Sequence, residues 1–167
     1  MISAIVAVDN NWGIGYNGDL LLSIPEDLKR FKAITNGHTV VMGKNTWISL
    51  PKKPLPNRKN IIIDYRDSID YLDNTMIGNL ESVVNIMKND PESEYYIMGG
   101  GSIYKQLLPL CERVYVTKIY HNFENVDTFF PNLESSEEWF EFPVGEIQEY
   151  NGIKYQYWVY DRKLVDF

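Results

Sequence analysis

The chain has 167 residues, of which 44% are hydrophobic and 23% are charged, and its formal net charge is -7. This length and composition predict one globular domain, residues 1–167, that is large enough to bury a core. The acidic balance argues against a general nucleic-acid-binding protein, which would need a basic surface to meet phosphates.

The cysteine content and the apolar N-terminus bear on where the protein works. Cys111 is the single cysteine, so no internal disulfide can form, which is usual in a reducing cytoplasm. The apolar run Ile2–Val8 has no basic start and is much shorter than the ~20 apolar residues of a membrane span. We therefore predict a cytoplasmic protein with no membrane partner, whose first residues form a buried strand.

Apolar runs and helical periodicities alternate along most of the chain. The predicted strands are, in order, residues 2–8, 38–43, 59–64, 75–77, 95–98 and 113–120. The predicted helices are residues 23–36, 44–50, 79–88 and 102–108. Between these elements, residues 9–19, 51–58, 65–74 and 125–131 are predicted loops because they are rich in glycine, asparagine, proline or charge.

The C-terminal part of the chain carries a strong hairpin signal. Asn151-Gly152 separates two strand-like segments, residues 146–150 and 153–162. Together with the alternating elements before it, this predicts an α/β domain. We expect a mostly parallel central sheet flanked by helices, with a C-terminal antiparallel hairpin.

The first predicted helix carries a carboxylate on its apolar face. Ser23 and Glu26 have the spacing of a capping box, and Pro25 suits a first helical turn. Asp27 either favours the positive end of the helix dipole or faces a pocket and waits for a cationic or hydrogen-bond-donating ligand. At helical spacing the apolar face holds Ile24, Asp27, Leu28, Phe31 and Ile34, and the opposite face holds Glu26, Lys29 and Arg30.

Two predicted strand-to-helix junctions, Val41–Thr46 and Ile97–Ser102, are rich in glycine. Glycine before a helix lets backbone N–H groups reach a phosphate, and ligands of open α/β sheets bind at such strand ends. Neither junction has P-loop or G-x-G-x-x-G spacing, so both could also be simple tight turns. Candidate anion-binding side chains are Lys44, Arg58 and Arg66, and a proline-rich loop fixes the direction of Arg58.

The remaining chemistry-bearing residues are sparse. His38 and His121 are isolated and no cluster has metal-ligand spacing, so no metal site is predicted. No serine lies in a nucleophile elbow. One carboxylate on an apolar face and two phosphate-suited turns favour hydride transfer, in which a bound cofactor supplies the reactive group.

Five segments of the chain closely resemble dihydrofolate reductase in order and spacing: residues 13–20, 24–31, 41–47, 54–60 and 98–104. The resemblance covers essentially the whole chain, including Thr117, Asp127–Pro131 and the closing hairpin. It implies NADPH-dependent reduction of 7,8-dihydrofolate to tetrahydrofolate, which supplies one-carbon metabolism and thymidylate synthesis. It also implies a monomer that binds a small-molecule substrate and antifolate inhibitors.

The resemblance assigns roles to individual residues. Asp27 would hydrogen-bond the pterin amidine with the help of Thr117, and Leu22 would be a third catalytic position, in a mobile lid that Asp127 supports. Arg58 would bind the glutamate carboxylate of folate. The implied substrate-binding residues are Ile5, Val6, Ala7, Leu28, Phe31, Leu50, Leu55, Arg58, Met98 and Tyr104. The implied cofactor-binding residues are Ala7, Ile14, Gly15, Leu20, Gly43, Lys44, Asn45, Thr46, Asp64, Tyr65, Arg66, Met98, Gly99, Gly100, Gly101, Ser102, Ile103 and Tyr104.

Three positions depart from the family pattern. Leu21-Leu22 replaces the usual Pro-Trp, which removes an indole N–H near Asp27 and bears on lid closure and proton delivery. Asp64 stands where the cofactor 2′-phosphate usually meets Ser or Thr, and Ser102 stands where some members have arginine. The preference for NADPH over NADH is therefore open. The alternatives are the related reductase of riboflavin synthesis and a non-catalytic nucleotide- or pterin-binding module.

Overall fold

The secondary structure follows the predicted order with several additional strands. It is seen in a computed structural model that describes residues 1–65 and 70–164. The strands are β1 (Ile2–Val8), β2 (Gly13–Tyr16), β3 (Asp19–Leu20), β4 (Thr39–Gly43), β5 (Lys59–Ile63), β6 (Asp70–Leu72), β7 (Thr75–Gly78), β8 (Tyr95–Ile97), β9 (Arg113–Ile119), β10 (Thr128–Phe129), β11 (Trp139–Pro143), β12 (Gln148–Tyr150) and β13 (Ile153–Arg162). The helices are α1 (Pro25–Thr35), α2 (Lys44–Ser49), α3 (Leu80–Lys88) and α4 (Gly101–Leu107), with 3-10 turns at Leu108–Leu110 and Leu133–Ser135.

The main sheet has the strand order β11-β13-β9-β1-β8-β4-β5-β7-β6, with β12 also paired to β13. Its centre is parallel, since β1 pairs with β8 and β9, β4 with β8 and β5, and β5 with β7 in that sense. The pairs β6–β7, β9–β13, β11–β13 and β12–β13 are antiparallel. Asn151 and Gly152 join β12 to β13 with φ values of 50° and 80°, as the hairpin turn requires. The predicted α/β fold with a C-terminal hairpin is confirmed.

Both faces of the central strands are covered, which explains their continuous apolar sequences. In β4, Val40, Val41 and Met42 are all 0% exposed. Val41 packs in the larger core cluster with Val83 of α3 and Leu107 of α4, whereas Val40 and Met42 pack in a second cluster that includes residues of α1. No helix in the described parts of the chain is long and apolar enough to cross a membrane.

The segment predicted as a long loop, residues 9–19, is only partly irregular. Strands β2 and β3 pair antiparallel within it, and β10 pairs with β2 to make a small second sheet. The predicted loops at residues 65–74 and 125–131 likewise contain β6 and β10. These predictions were wrong because each strand is very short and two of them depend on a partner distant in sequence, which local composition does not reveal.

The predicted capping box at the start of α1 is also wrong. The N-cap is Ile24, which is 2% exposed, and no side chain caps the helix. The amides of Asp27 and Leu28 bond the Ile24 carbonyl at 3.0 and 3.1 Å. Glu26 instead pairs with Lys29 at 3.2 Å. Burial of Ile24 therefore decides where the helix begins, and Pro25 occupies its first position as expected.

Candidate active site

Asp27 in the first turn of α1 meets Thr117 of β9. Thr117 is 3% exposed, and its Oγ1 donates a 2.6 Å hydrogen bond to Asp27 Oδ1. Burial raises the pKa of Asp27, while the Thr117 hydrogen bond and the charge of Arg30 partly offset this rise. Among the described residues no group donates to Oδ2. Asp27 thus has the setting expected of a carboxylate that faces a binding pocket, beyond any interaction with the helix dipole.

Arg30 does not lie on the solvent face of α1 as the helical periodicity predicted. It is half-buried, and its guanidinium carbon lies 4.0 Å from the ring centroid of Tyr157 and 5.9 Å from that of Tyr115. Tyr157 is the cross-strand partner of Thr117. Sequence reasoning missed both Arg30 and Tyr157. The available signal was the alternation of tyrosines at residues 155 and 157, which places both rings on one face of β13.

The expected apolar walls lie beside Asp27. Phe31, Leu50, Leu55 and Met98 pack against the same cluster around Val40 and Met42. Leu28 is 51% exposed, so the apolar face of α1 is only partly covered by the sheet. An exposed leucine that continues a wall of packed apolar side chains suits the binding of an apolar ligand.

The residues expected from β1 divide between the two faces of that strand. Ile5 and Ala7 alternate with Val6, so their side chains point in the opposite direction. Val6 is 7% exposed and packs in the larger core cluster, so its side chain is not brought to Asp27. Tyr104 of α4 donates from its hydroxyl to the Ile5 carbonyl at 2.7 Å, which ties α4 to the strand.

Arg58 is a buried guanidinium near the apolar walls. It is 6% exposed, and its Nε donates to the Pro56 carbonyl at 2.9 Å. Its Nη1 donates to Thr35 Oγ1 at 3.1 Å, and its guanidinium carbon lies 5.9 Å from the Phe31 ring centroid. Within the described part of the chain Arg58 has no ion-pair partner. A cation held in this way is suited to bind a carboxylate of a ligand.

The structure brings the two glycine-rich junctions together. The Gly43 amide donates to the Gly99 carbonyl at 2.8 Å, and the Gly99–Gly100 peptide bond is cis. A Cβ on Gly43 would lie 2.9 Å from Ile103 Cγ1, whereas a Cβ on Gly100 would meet only Thr46 Oγ1, at 3.5 Å. The starts of α2 and α4 thus lie side by side. At Gly100 the backbone is open to a ligand, and a side chain at this position would narrow the space in front of it. This arrangement fits the phosphates of a dinucleotide.

Comparison with known proteins agrees with this geometry. The family model described as dihydrofolate reductase matches residues 1–162. The chain belongs to the dihydrofolate reductase family. It is 38% identical over 164 residues to the dihydrofolate reductase of Bacillus subtilis, with 98% of this chain and 95% of that protein covered. It is 36% identical to the dihydrofolate reductase of Staphylococcus haemolyticus over 163 residues, covering 96% and 95%. The Drosophila melanogaster dihydrofolate reductase is 36% identical over 176 residues, covering 95% and 96%.

The lid that the family resemblance implies is the β2–β3 hairpin with the residues that follow it. The Asn17 amide donates to Asp127 Oδ2 at 2.9 Å, and the Asp127 amide donates to the Gly15 carbonyl at 3.0 Å. Leu20 is 62% exposed, whereas Ile14 is buried in the core. Leu22 packs against the cluster of Ile24, Ile119 and Tyr155. The hairpin is therefore tied to the loop around Asp127, and the Leu22 position is filled by an apolar contact.

The expected cofactor residues at the edges of the site are exposed. Lys44 and Asn45 are exposed in the first turn of α2, and Ser102 Oγ accepts a 2.8 Å hydrogen bond from Gln106 Nε2. Asp64 Oδ1 accepts from the Tyr65 amide at 2.8 Å, and the Tyr65 side chain is 97% exposed. Arg66 lies outside the described residues, so its predicted role as an anion-binding side chain stays a prediction.

The described residues, 1–65 and 70–164, contain no group of three or more His, Cys, Asp or Glu side chains that could hold a metal ion.

Proposed function

We propose that the protein catalyses the NADPH-dependent reduction of 7,8-dihydrofolate to 5,6,7,8-tetrahydrofolate, with Asp27 as the carboxylate that binds the pterin. Membership in the dihydrofolate reductase family supports the reaction and the cofactor. The single observation that supports the role of Asp27 is its 2.6 Å hydrogen bond with buried Thr117, beside partly exposed apolar walls.

Asp27 and Thr117 orient the substrate. The amidine edge of a pterin presents two N–H donors in parallel, which match the two oxygens of one carboxylate. Thr117 donates to Oδ1 and so fixes the plane of the Asp27 carboxylate. Leu28 and Phe31 contact the rest of the ring system, and Arg58 binds the glutamate carboxylate of the substrate. In this proposal the reacting edge of the pterin faces the cofactor held at the glycine junctions.

The reaction adds a hydride to pterin C6 and a proton to N5, so two electrons and two hydrogens enter the ring. Bound NADPH supplies the hydride. The residues of this chain hold and shield the reactants: Gly99 to Gly101 and Lys44 to Thr46 bind the phosphates, and the lid hairpin excludes water. N5 takes its proton from solvent, and the negative charge of Asp27 makes N5 more basic. Leu22, which packs against the cluster of Ile24, Ile119 and Tyr155, has no N–H or O–H group and so does not itself transfer this proton.

Three further properties form part of the proposal. The protein acts as a monomer, because one chain supplies Asp27, Thr117, Arg58 and the glycine junctions. It works in the cytoplasm, in keeping with a single buried cysteine, Cys111. Antifolates with a diaminopyrimidine ring bind at Asp27, because their ring presents the same paired N–H donors as the pterin.

The test is nicotinamide absorbance with purified protein, dihydrofolate, and NADPH or NADH in parallel. Rapid oxidation of NADPH with little oxidation of NADH is expected, with Lys44 as one cation available to the 2′-phosphate. Equal use of NADH would keep the reaction and show that Asp64 removes the preference for the phosphate. No oxidation of either cofactor by a folded sample would refute the proposed reaction and favour the related reductase or a binding module.

A further inference from the structure

Arg30 lies in an unusual setting for a cation on an amphipathic helix. It follows Asp27 by three residues, so both side chains point to the same side of α1. Its guanidinium is stacked on Tyr157, at 4.0 Å from the ring centroid, and half of the side chain is buried. No carboxylate among the described residues comes within ion-pairing distance of Arg30. A buried cation needs some compensation, and the stacked ring supplies only part of it.

The ring under Arg30 belongs to the same wall as the hydrogen bond to Asp27. Tyr157 is paired across the sheet with Thr117, and Tyr115 lies two residues before Thr117 on the same face of β9. Thr117 in turn donates to Asp27. Arg30, Asp27, Thr117 and Tyr157 therefore form one packed group, in which the cation and the carboxylate are the charged members.

We propose that Arg30 is a positioning residue for proton chemistry at this site: its guanidinium, held on Tyr157, acts together with the Thr117 hydrogen bond to keep the Asp27 carboxylate ionised. The proposal rests on the role of Asp27 proposed above. Arg30 itself need not touch the substrate, because its charge acts on Asp27 across the wall. Burial alone would favour the neutral acid, in which form the O–H of Asp27 would face one of the two pterin N–H donors and the side chain would carry no charge to raise the basicity of N5.

The groups that face Asp27 allow this assignment. From α1 itself the charged neighbours are Glu26 and Arg30, and Thr117 faces it from β9. From β13 the titratable neighbours are Tyr155 and Tyr157, whose pKa values are raised by burial first and by the charge of Asp27 in addition. The titratable neighbour from α4 is Tyr104, and burial raises its pKa as well. The phenols stay neutral at physiological pH, so Arg30 is the cation in the described part of this group.

Burial lowers the pKa of Arg30, while the negative charge of Asp27 favours its protonated form. An arginine nevertheless remains charged throughout the working pH range of proteins. The alternative is that Arg30 only packs, joining α1 to the sheet through its stack on Tyr157. The two roles predict different results for lysine at this position. Lysine should replace arginine if the charge of Arg30 acts on Asp27, and should fail to replace it if the stacked guanidinium only packs.

The test is a titration of the Asp27 side-chain carboxyl by carbon NMR, in the full chain without substrate or cofactor. We compare wild type, Arg30→Met and Arg30→Lys. The midpoint is expected to move upward in Arg30→Met, because the favourable charge is lost. Arg30→Lys is expected to stay near the wild type. The matched control is Lys29→Met, which removes the same charge from an exposed position on the same helix and is expected to leave the midpoint unchanged.

Kinetics provide the second measurement. Relative to wild type at the same pH, Arg30→Met is expected to lose roughly threefold to tenfold more kcat/KM at acid pH than at alkaline pH, as for a single charge acting at a half-buried site. A structural defect would lower the rate at all pH values alike, and lysine would not rescue it.

Two results would overturn the proposal: an unchanged Asp27 midpoint in folded Arg30→Met, or equal upward shifts in Arg30→Met and Arg30→Lys. Arg30→Gln gives the same comparison if the methionine variant does not fold. The NMR titration uses no substrate, so a protein with this coupling but no dihydrofolate turnover would refute the proposed function while retaining the link between Arg30 and Asp27.

Discussion

Replacing Asp27 by asparagine tests the central assignment with almost no change of shape. Thr117 Oγ1, now 2.6 Å from Asp27 Oδ1, can still donate to the amide oxygen, so the wall behind the site is kept. The amide can accept only one of the two pterin N–H donors, and its own N–H₂ group opposes the other. Asp27→Asn should therefore fold and bind NADPH normally while it loses the substrate interaction.

The expected loss follows from the hydrogen bonds involved. One charge-assisted bond becomes a neutral bond, which costs about 1 to 1.5 kcal/mol, and one donor is left unpaired, which costs about 1 to 3 kcal/mol. The sum is roughly 2 to 4.5 kcal/mol, so kcat/KM at neutral pH should fall about 30-fold to 2,000-fold.

The same variant should be more stable than wild type at neutral pH. Burial raises the pKa of Asp27 above its ordinary value of 3.8, so folding favours the protonated carboxyl. The stability from this group is fully present below the unfolded-state pKa and is lost as the pH rises through the folded-state pKa. Asparagine does not titrate. The gain from Asp27→Asn in the free energy of unfolding should therefore be present at neutral pH and shrink in acid.

Steady-state kinetics, NADPH binding by fluorescence, and urea unfolding at neutral and acid pH together measure these effects. Thr46→Ser is a useful comparison, because it changes the cofactor side without altering Asp27. A folded Asp27→Asn protein with kcat/KM within about threefold of wild type would remove Asp27 from the reaction, since the calculated loss is at least tenfold larger. Unchanged kcat/KM for dihydrofolate together with weaker NADPH binding would indicate that Asp27 contacts the cofactor and not the substrate.

Four further substitutions test other parts of the site. Arg58→Met should raise the KM for dihydrofolate about 10-fold to 100-fold with little change in kcat, because a charge-assisted pair is lost; unchanged KM would refute the carboxylate assignment. Gly100→Ala should weaken NADPH binding about tenfold or more at unchanged melting temperature. Gly101→Ala should instead destabilise the fold by about 1 to 3 kcal/mol, since its Cβ would lie 2.6 Å from Thr128 Cγ2. Titration with NADPH measures the first effect, and calorimetry of the free protein measures the second. Asp127→Ala removes the 2.9 Å bond to the lid hairpin and should lower kcat roughly threefold to tenfold; stopped-flow kinetics at saturating substrate would show whether it does.

Features determined by local sequence were predictable. The strand β1 was predicted with its observed bounds, Ile2–Val8, because a strand buried on both faces is a continuous apolar run. The Asn151-Gly152 turn also forms as predicted, since it depends on residues within a few positions. The glycine junctions follow predicted strands as expected, but their adjacency comes from the pairing of β4 with β8, which the local pattern does not reveal.

Features that depend on distant residues were not predictable from the same patterns. Arg30 fits the polar face of an isolated helix, and only the tyrosines of β9 and β13 draw it inwards. Ser23 has the right spacing for a cap, but the burial of Ile24 moves the helix start past it. Trp12 at the base of the lid is 5% exposed and lies 6.2 Å from Phe130 between ring centroids, a contact across more than a hundred residues. In each case the position of the side chain can be predicted only when its packing partner in the fold is known.

The position of β1 in the sheet has a consequence for synthesis of the protein on the ribosome. This strand emerges long before its neighbours β8 and β9, which come from residues 95–97 and 113–119. At a synthesis rate of about 5 to 20 residues per second, the apolar run stays unpaired for several seconds. The exposed apolar segment Ile2–Val8 is therefore able to associate with other chains until most of the protein has been made. A ribosome that stalls before β9 would release a fragment unable to close its own sheet.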